Sequence, residues 1–449
     1  MSQSSDSTLN LLDDLVKAAL KGGADAADAV AVDARSKGVS WREGQMEDVE
    51  GSEGEDIGLR VMIGKQQAMV STSNRSAGNL KEVVERTLAM ARAVPEDQYC
   101  GLAPEDKLHT GPFAELDLYD DTEVSAEQLA EIAREAEEAT RAVEGVTTSP
   151  GAGASASSWA IDLVTSHGFA GHYKGSSFSS SVSAVAGEGT GMERDYDFTS
   201  TRHFADLESA AAIGTKAGEL AVKRLNPTKA ESGQKPLIFS PRVANSLLGH
   251  FAGAISGGAV ARGTSFLKDR LGEAVFADGV TIVDDPLMKR GLSSKLFDGE
   301  GVRVQKTNLV EGGTLKTWTL NSATARQLEM EVTGHASRGT SSAPGIGTTN
   351  LYMEAGILSP DDLMADITDG IYITELIGMG VNGVTGDYSR GASGFMIKNG
   401  EITESVSEFT IAGNLKDMFM ALVPASDLEF KYGANAPTVR VDGMMVAGT

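Results

Sequence analysis

The stretch LLGHFAGAISGGAVARGTSF, residues 247–266, decides how the rest of the chain is read. Its first half is apolar enough to predict a buried helix, which runs into a glycine-rich turn and then a small polar RGTS segment. One histidine, His250, sits in it between Gly249 and Phe251. Zinc needs three or four convergent N, S or O ligands. The residues one helical turn beyond His250, Gly253 and Ala254, carry no ligand atom. His250 therefore reads as a core or interface histidine. Glycine inside a helix costs roughly 0.5–1 kcal/mol relative to alanine. Accepting that cost at Gly249 and Gly253 predicts close backbone packing, as against another subunit.

Upstream, PLIFSP (236–241) predicts a buried strand, with residues 233–235 as a linker before it. Downstream the chain changes character. Glycine is dense, and GVTIVDDP (279–286), GVRVQKTNLV (301–310) and GTLKTWTLN (313–321) predict a series of strands. SGFMIKNGEITESV (393–406) predicts a hairpin whose Asn399-Gly400 supplies the positive φ angles of a type I′ turn.

The first half reads differently. Helical periodicity at 8–22 leads into strands through 30–73, with a hairpin about Gly64-Lys65, and then a helix at 79–93. A loop bearing Pro104 and Pro112 follows. The order then repeats, without residue-level identity between the copies. A helix at 125–143 is opened by Ser125 with Gln128 in a capping-box relation, strands run to about 203, and a helix spans 205–225. The fold class is α+β, with an N-terminal half of mixed helix and strand and a β-rich C-terminal half. The boundaries fall as 1–110, 111–232 and 233–449.

With 449 residues the chain favours two or three domains. Its 63 Asp and Glu outnumber 39 Lys and Arg, giving a net charge of -24. Such a chain repels phosphate backbones, so nucleic acid is not the expected partner. The densest basic cluster, around Lys223 and Arg224, is short. No apolar run reaches the length of a membrane span, and the N-terminus lacks the pattern of a secretory signal. The single cysteine, Cys100, fits a reducing compartment. Cytoplasm is the expected location and a membrane is not an expected partner.

The remaining motifs point away from a self-contained site. His167 and His172, in HGFAGHY, are five apart in a strand context, where an odd spacing puts side chains on opposite faces. Cys100 has no base near it in sequence and reads as an inert thiol. There is no G-x-S-x-G elbow and no Walker A loop. GIGTTN (345–350) and GMGVNGVTG (378–386) are glycine-rich, but neither lies between a buried strand and a helix start.

Several pieces together are more specific than any one of them. PLIFSPRVANSLLGH, ARGTSFLKDRLGE, DDP, FDGEG, GTLKTW, MIKNGEIT and the closing PTVRVDGMMVAGT resemble the TldD/PmbA family, the "modulators of DNA gyrase" now seen as metallopeptidases, and GLRVMIGKQQAMVSTS is similar to its first segment. The resemblance covers nearly the whole chain and implies a two-domain α+β fold. The TldD branch carries HExxxH before its RGTS and a ligand cysteine near the C-terminus. Counting back from Arg262, the two zinc histidines fall on Leu248 and Gly253 and the general-base glutamate on Gly249. DLEFKYGANAPTVRVDG has no cysteine. The chain thus resembles the other branch, PmbA or TldE.

That resemblance implies no catalytic residue and no cofactor in this chain, with zinc held only in a TldD-type catalytic partner. It implies a homo- or heterodimer that handles extended peptides, with His250, Arg262, Gly263, Thr264 and Ser265 as the residues of a partner or substrate cleft. The alternatives are a regulatory interaction protein of the gyrase-modulator kind and a self-sufficient hydrolase with an unrecognised site.

Overall fold

A computed structural model describes residues 2–448. The first half is built from α1 (Ser2–Lys21), β1 (Ala26–Arg42), β2 (Gln45–Ile63), β3 (Gln66–Thr72), α2 (Ala77–Ala93), α3 (Ala126–Ala142), β4 (Val146–Thr165), β5 (Ala170–Ala186), β6 (Glu193–Thr201) and α4 (Ala210–Lys223). The expected repeat of helix, strands and helix is present. Its two copies share one antiparallel sheet, β3-β2-β1-β4-β5-β6, joined where β1 pairs with β4 from Asp28↔Thr165 to Trp41↔Ala152. A strand buries alternate residues, so one face of this sheet can take all four helices. Leu12, Leu15 and Val16 of α1 and Leu80 and Val83 of α2 pack on Ile57, Leu59 and Val61 of β2. Leu129 and Ala133 of α3 and Ile213 and Ala217 of α4 pack on Ala154 and Val182.

The local signals explain these boundaries. Ser125 and Gln128 form the capping box, Ser125 Oγ accepting from Gln128 N at 3.2 Å and Gln128 Oε1 from Ser125 N at 2.9 Å. The last helix starts at Ala210 rather than 205, because Ser209 caps it by accepting from Ala212 N at 3.2 Å. Gly214 lets α4 cross α3 closely, since a Cβ there would stand 2.3 Å from the Ala136 carbonyl.

The second half opens with β7 (Thr228–Lys229) and β8 (Gly233–Phe239). Residues 233–235 are therefore part of a strand and not a linker; their backbones pair with Met444, Met445 and Val446. Next come α5 (Pro241–Ile255), α6 (Gly257–Ala261), β9 (Ile282–Asp284), β10 (Thr307–Glu311), β11 (Thr314–Leu315), α7 (Ser322–Gln327), β12 (Ala336–Ser337), β13 (Gly345–Ile346), β14 (Leu351–Met353) and α8 (Pro360–Met364). The chain ends with β15 (Asp369–Ile377), β16 (Asp387–Lys398), β17 (Glu401–Asn414), α9 (Leu415–Met420), β18 (Leu422–Pro424), β19 (Ala434–Asn435) and β20 (Val439–Ala447). The strands expected at 279–286 and 301–310 are shorter than their apolar runs. Asn399 and Gly400 turn the β16–β17 hairpin with φ of 51° and 84°, as the sequence requires.

Strands β20, β8, β15, β16 and β17 follow one another, and β17 pairs back onto β20, closing a five-stranded barrel. Closure removes the free edges an open sheet would expose. The small sheet β11-β10-β9-β14-β19 lies beside it, and α5 is buried within the shared core. Leu247, Leu248, Phe251 and Ile255 are at most 1% exposed, and Phe251 meets Phe276 edge-on at 5.2 Å.

The halves meet across a buried ionic junction. Asp28 of β1 accepts from Arg60 Nε at 2.9 Å and Arg338 Nη1 at 2.8 Å. Burial alone would raise the Asp28 pKa, but Arg338 and Arg60 outweigh it and hold the carboxyl below its ordinary value. Removing one partner from such a group strands a charge without solvent.

Candidate functional site

The buried stripe of α5 leaves the opposite side of the helix facing outward. Gly249 and Gly253 are exposed there and His250 is half-buried. They line a cavity of about 560 Å³ with Thr264, Met379 and Arg390. An ideal Cβ at Gly249 or Gly253 would meet nothing within 4 Å. The close packing expected at these glycines is thus absent within the chain. They keep a surface open.

The RGTS segment is a helix cap. Gly263 has φ +70°, its N–H donates to the Val260 carbonyl at 2.9 Å, and Thr264 N–H donates to the Ala259 carbonyl at 2.9 Å. That pair of bonds is a Schellman motif, which favours glycine at its left-handed position. Arg262 is exposed on the cap. Ser265 is buried and donates to the Ala254 carbonyl at 2.6 Å, tying the turn back to α5. Of the residues expected to form a cleft, His250 and Thr264 reach the cavity; Arg262, Gly263 and Ser265 build the turn beside it.

His250 stands edge-on to Tyr388 at 6.0 Å, and its Nε2 has no hydrogen-bond partner among the described residues. Burial first, and the Arg390 cation second, lower its pKa below the ordinary 6.5, so the ring is neutral at pH 7. Tyr388 is pushed up to about 12 by burial, and its hydroxyl is also unpartnered. Arg390 has one long bond, Nε to the Ile377 carbonyl at 3.4 Å, and no carboxylate within 4 Å among the described residues. Sequence reading missed Tyr388 and Arg390, which lie about 140 positions beyond α5. The only local signal is an arginine among small residues in DYSRGASG.

The other histidines and the cysteine are scattered. His167 Nδ1 lies 3.0 Å from the Ala103 carbonyl, His172 Nδ1 is 2.8 Å from Asp162 Oδ1, and His203 Nε2 is 3.1 Å from the Asp117 carbonyl. Cys100 is buried, and burial followed by Asp97 raises its thiol pKa. Arg224, half of the basic cluster read from sequence, is held among acids instead: it pairs with Glu375 and lies 3.4 Å from Asp195 and 3.6 Å from Glu193.

Comparison with known proteins places this geometry in a family. Residues 27–91, 119–225 and 232–448 match, in order, domain 1, the central domain and the C-terminal domain of the PmbA/TldA metallopeptidases. The metalloprotease PmbA homolog of Haemophilus influenzae is 36% identical over 436 residues, covering 96% of this chain and 94% of that protein. The chain belongs to the PmbA/TldD family. Metalloprotease PmbA of Escherichia coli O157:H7 is 34% identical over 443 residues, covering 98% of this chain and 96% of that one. A solved structure from Bacteroides thetaiotaomicron, described as a proposed modulator of DNA gyrase, superposes with a TM-score of 0.90 at 25% identity, covering 98% of both chains. TldE from Thermococcus kodakarensis shares the fold at a TM-score of 0.88 and 22% identity, covering 98% of this chain and 100% of that one.

The family's description implies a metal, and the residues of α5 do not fit one. Leu248 is sunk in the core, and Gly249 and Gly253 offer no donor. His250 is the one His, Cys, Asp or Glu among the residues lining the cavity. Among the described residues, no three His, Cys, Asp or Glu side chains come together to hold an ion. The described residues also contain no helix long and apolar enough to cross a membrane.

Proposed function

We propose that this chain is the non-catalytic, TldE-type subunit of a cytosolic two-subunit peptidase. A TldD-type partner supplies zinc and the general base, and this chain completes the chamber in which extended peptides are cut. One reading of the sequence carries it: counted back from Arg262, the motif positions that the family resemblance expects to hold ligands and base fall on Leu248, Gly249 and Gly253 of α5, an apolar side chain and two glycines. In a zinc peptidase the held metal lowers the pKa of its bound water to about 7 and a general base takes the proton, and neither ligands nor base stand at these positions. What the chain retains is a family architecture with an open cavity over the same helix, which suits shaping a cleft and excluding water from it.

Two measurements test this. Elemental analysis after exhaustive dialysis is expected to find no stoichiometric zinc. The isolated chain is expected to leave casein uncut, while its mixture with a TldD-type subunit cleaves in a chelator-sensitive way and faster than that subunit alone. One zinc per chain, or chelator-insensitive cleavage by the isolated chain, would support a self-sufficient hydrolase. Equal turnover of the catalytic subunit with and without this chain would favour the regulatory reading, which the name of the Bacteroides relative supports.

A further inference from the structure

The cavity over α5 does not end at His250. A second cavity of about 400 Å³ continues from it, sharing Ser246 and Arg390. A third, of about 660 Å³, shares Arg242, Asp195 and Thr374 with the second. Arg242, Ser246, Gly249, His250 and Gly253 fall on one stripe of α5 and floor the first two. At 1.5 Å rise per residue the stripe is about 16 Å long, which accommodates roughly five residues of extended chain.

The charge of this trough points to its occupant. Arg194, Arg224, Arg242 and Arg390 line the first two cavities against Asp195 and Glu375 alone, in a chain of net charge -24. Arg224 and Arg242 are neutralised by those acids, and Arg194 lies 3.8 Å from Glu375. Arg390, where the cavities join, has no carboxylate within 4 Å among the described residues. At physiological ionic strength charges beyond about 8 Å are screened, so this local cation outweighs the distant acidic surface.

We propose that this trough binds an extended peptide and selects one that places a carboxylate, a Glu or Asp side chain or a chain terminus, against Arg390. The proposal rests on the peptide-handling role above and names its preferred substrate class. The planar guanidinium takes a carboxylate through two parallel bonds, and the exposed Met379, 90% accessible at the cavity rim, offers an apolar contact beside it.

The test uses the full chain and fluorescein-labelled octapeptides of Ala and Ser carrying three Glu, three Gln or three Lys, read by anisotropy at 0.15 M salt. The Glu peptide is expected to bind roughly five- to tenfold tighter than the Gln peptide, and the Lys peptide weakest. Arg390→Gln should abolish the difference between Glu and Gln peptides while leaving Gln-peptide binding in place. Gly253→Phe, which fills open space without touching the core, should weaken both. Equal affinity for Glu and Gln peptides, a preference that survives Arg390→Gln, or no saturable binding at all would each overturn the proposal. None of these touches the subunit assignment, which is read from zinc content and partner-dependent turnover.

Discussion

On one side of α5, Leu247, Leu248, Phe251 and Ile255 are sealed in the C-terminal core. On the other, Gly249 and Gly253 have nothing within 4 Å of where a side chain would begin. The same helix is thus a packed core element and the floor of an open trough. The difference teaches how one helix can serve both roles. The buried face, Leu248 included, fixes the position of the helix, while no intrachain contact constrains the open face at Gly249 and Gly253. Gly214 of α4 makes the opposite point, since there the missing side chain is filled by the α3 backbone.

The hardest way to break this contrast is to write in the histidines that the resemblance expects at 248 and 253. Residues five apart on a regular helix lie roughly 140° around the axis, so histidines at 248 and 253 would point into the core and the trough respectively. Leu248→His with Gly253→His should lose about 2–5 kcal/mol in urea denaturation, from the emptied and polar core site, and should hold no zinc after dialysis. A double variant that retains one zinc per chain would show that α5 can rewind and that its two faces are not fixed.

A smaller effect sharpens the comparison between glycines. Gly253→Ala should raise stability by about 0.5–1 kcal/mol, because it restores helix propensity at no steric cost. Gly214→Ala should lower it by about 1–3 kcal/mol, because its methyl meets the Ala136 carbonyl. Chemical denaturation of the pair measures both, and shifts of the same sign would mean that open and tight glycines are not distinguished as described.

The smallest effect is in pH. Burial and then Arg390 lower the native pKa of His250 below 6.5. As pH falls through the ordinary histidine range the unfolded chain takes up a proton that the native chain refuses. Stability therefore falls with it, and the loss is complete below the depressed native value. The cation Arg390 lines the cavity with His250 and the neutral Tyr388 ring packs edge-on to it, and the cavity lining holds no carboxylate to offset this trend. His250→Gln should flatten that part of the stability curve and leave stability at pH 8 nearly unchanged. An identical pH dependence in the variant would place His250 outside the groups that titrate differently on folding.

Local features were legible because their causes are local. The capping box at Ser125 and Gln128, the Asn399-Gly400 turn and the apolar stripe of α5 depend on residues within a turn or two of one another. The resemblance carried by RGTS and its neighbouring segments led to the family, although the segment itself proved to be a helix cap. The strand–helix limits at 233 and 210 were misjudged, because a long-range pairing with β20 and a cap at Ser209 set them.

What the sequence by itself determined is the set of helices and hairpins and the family to which they belong. Only the tertiary structure decided that β1 pairs with β4 to fuse the repeat into one sheet, that β20 closes the barrel onto β17, and that Arg390 stands over His250. The reason is physical. A helix or a two-residue turn is stabilised by contacts between neighbours in sequence, whereas sheet pairing, barrel closure and a cavity are made by residues tens to hundreds of positions apart. Glycine shows the same division: its lack of a side chain can be read anywhere, but whether the space beside it is filled by Ala136 or left open above α5 depends on what folding brings there.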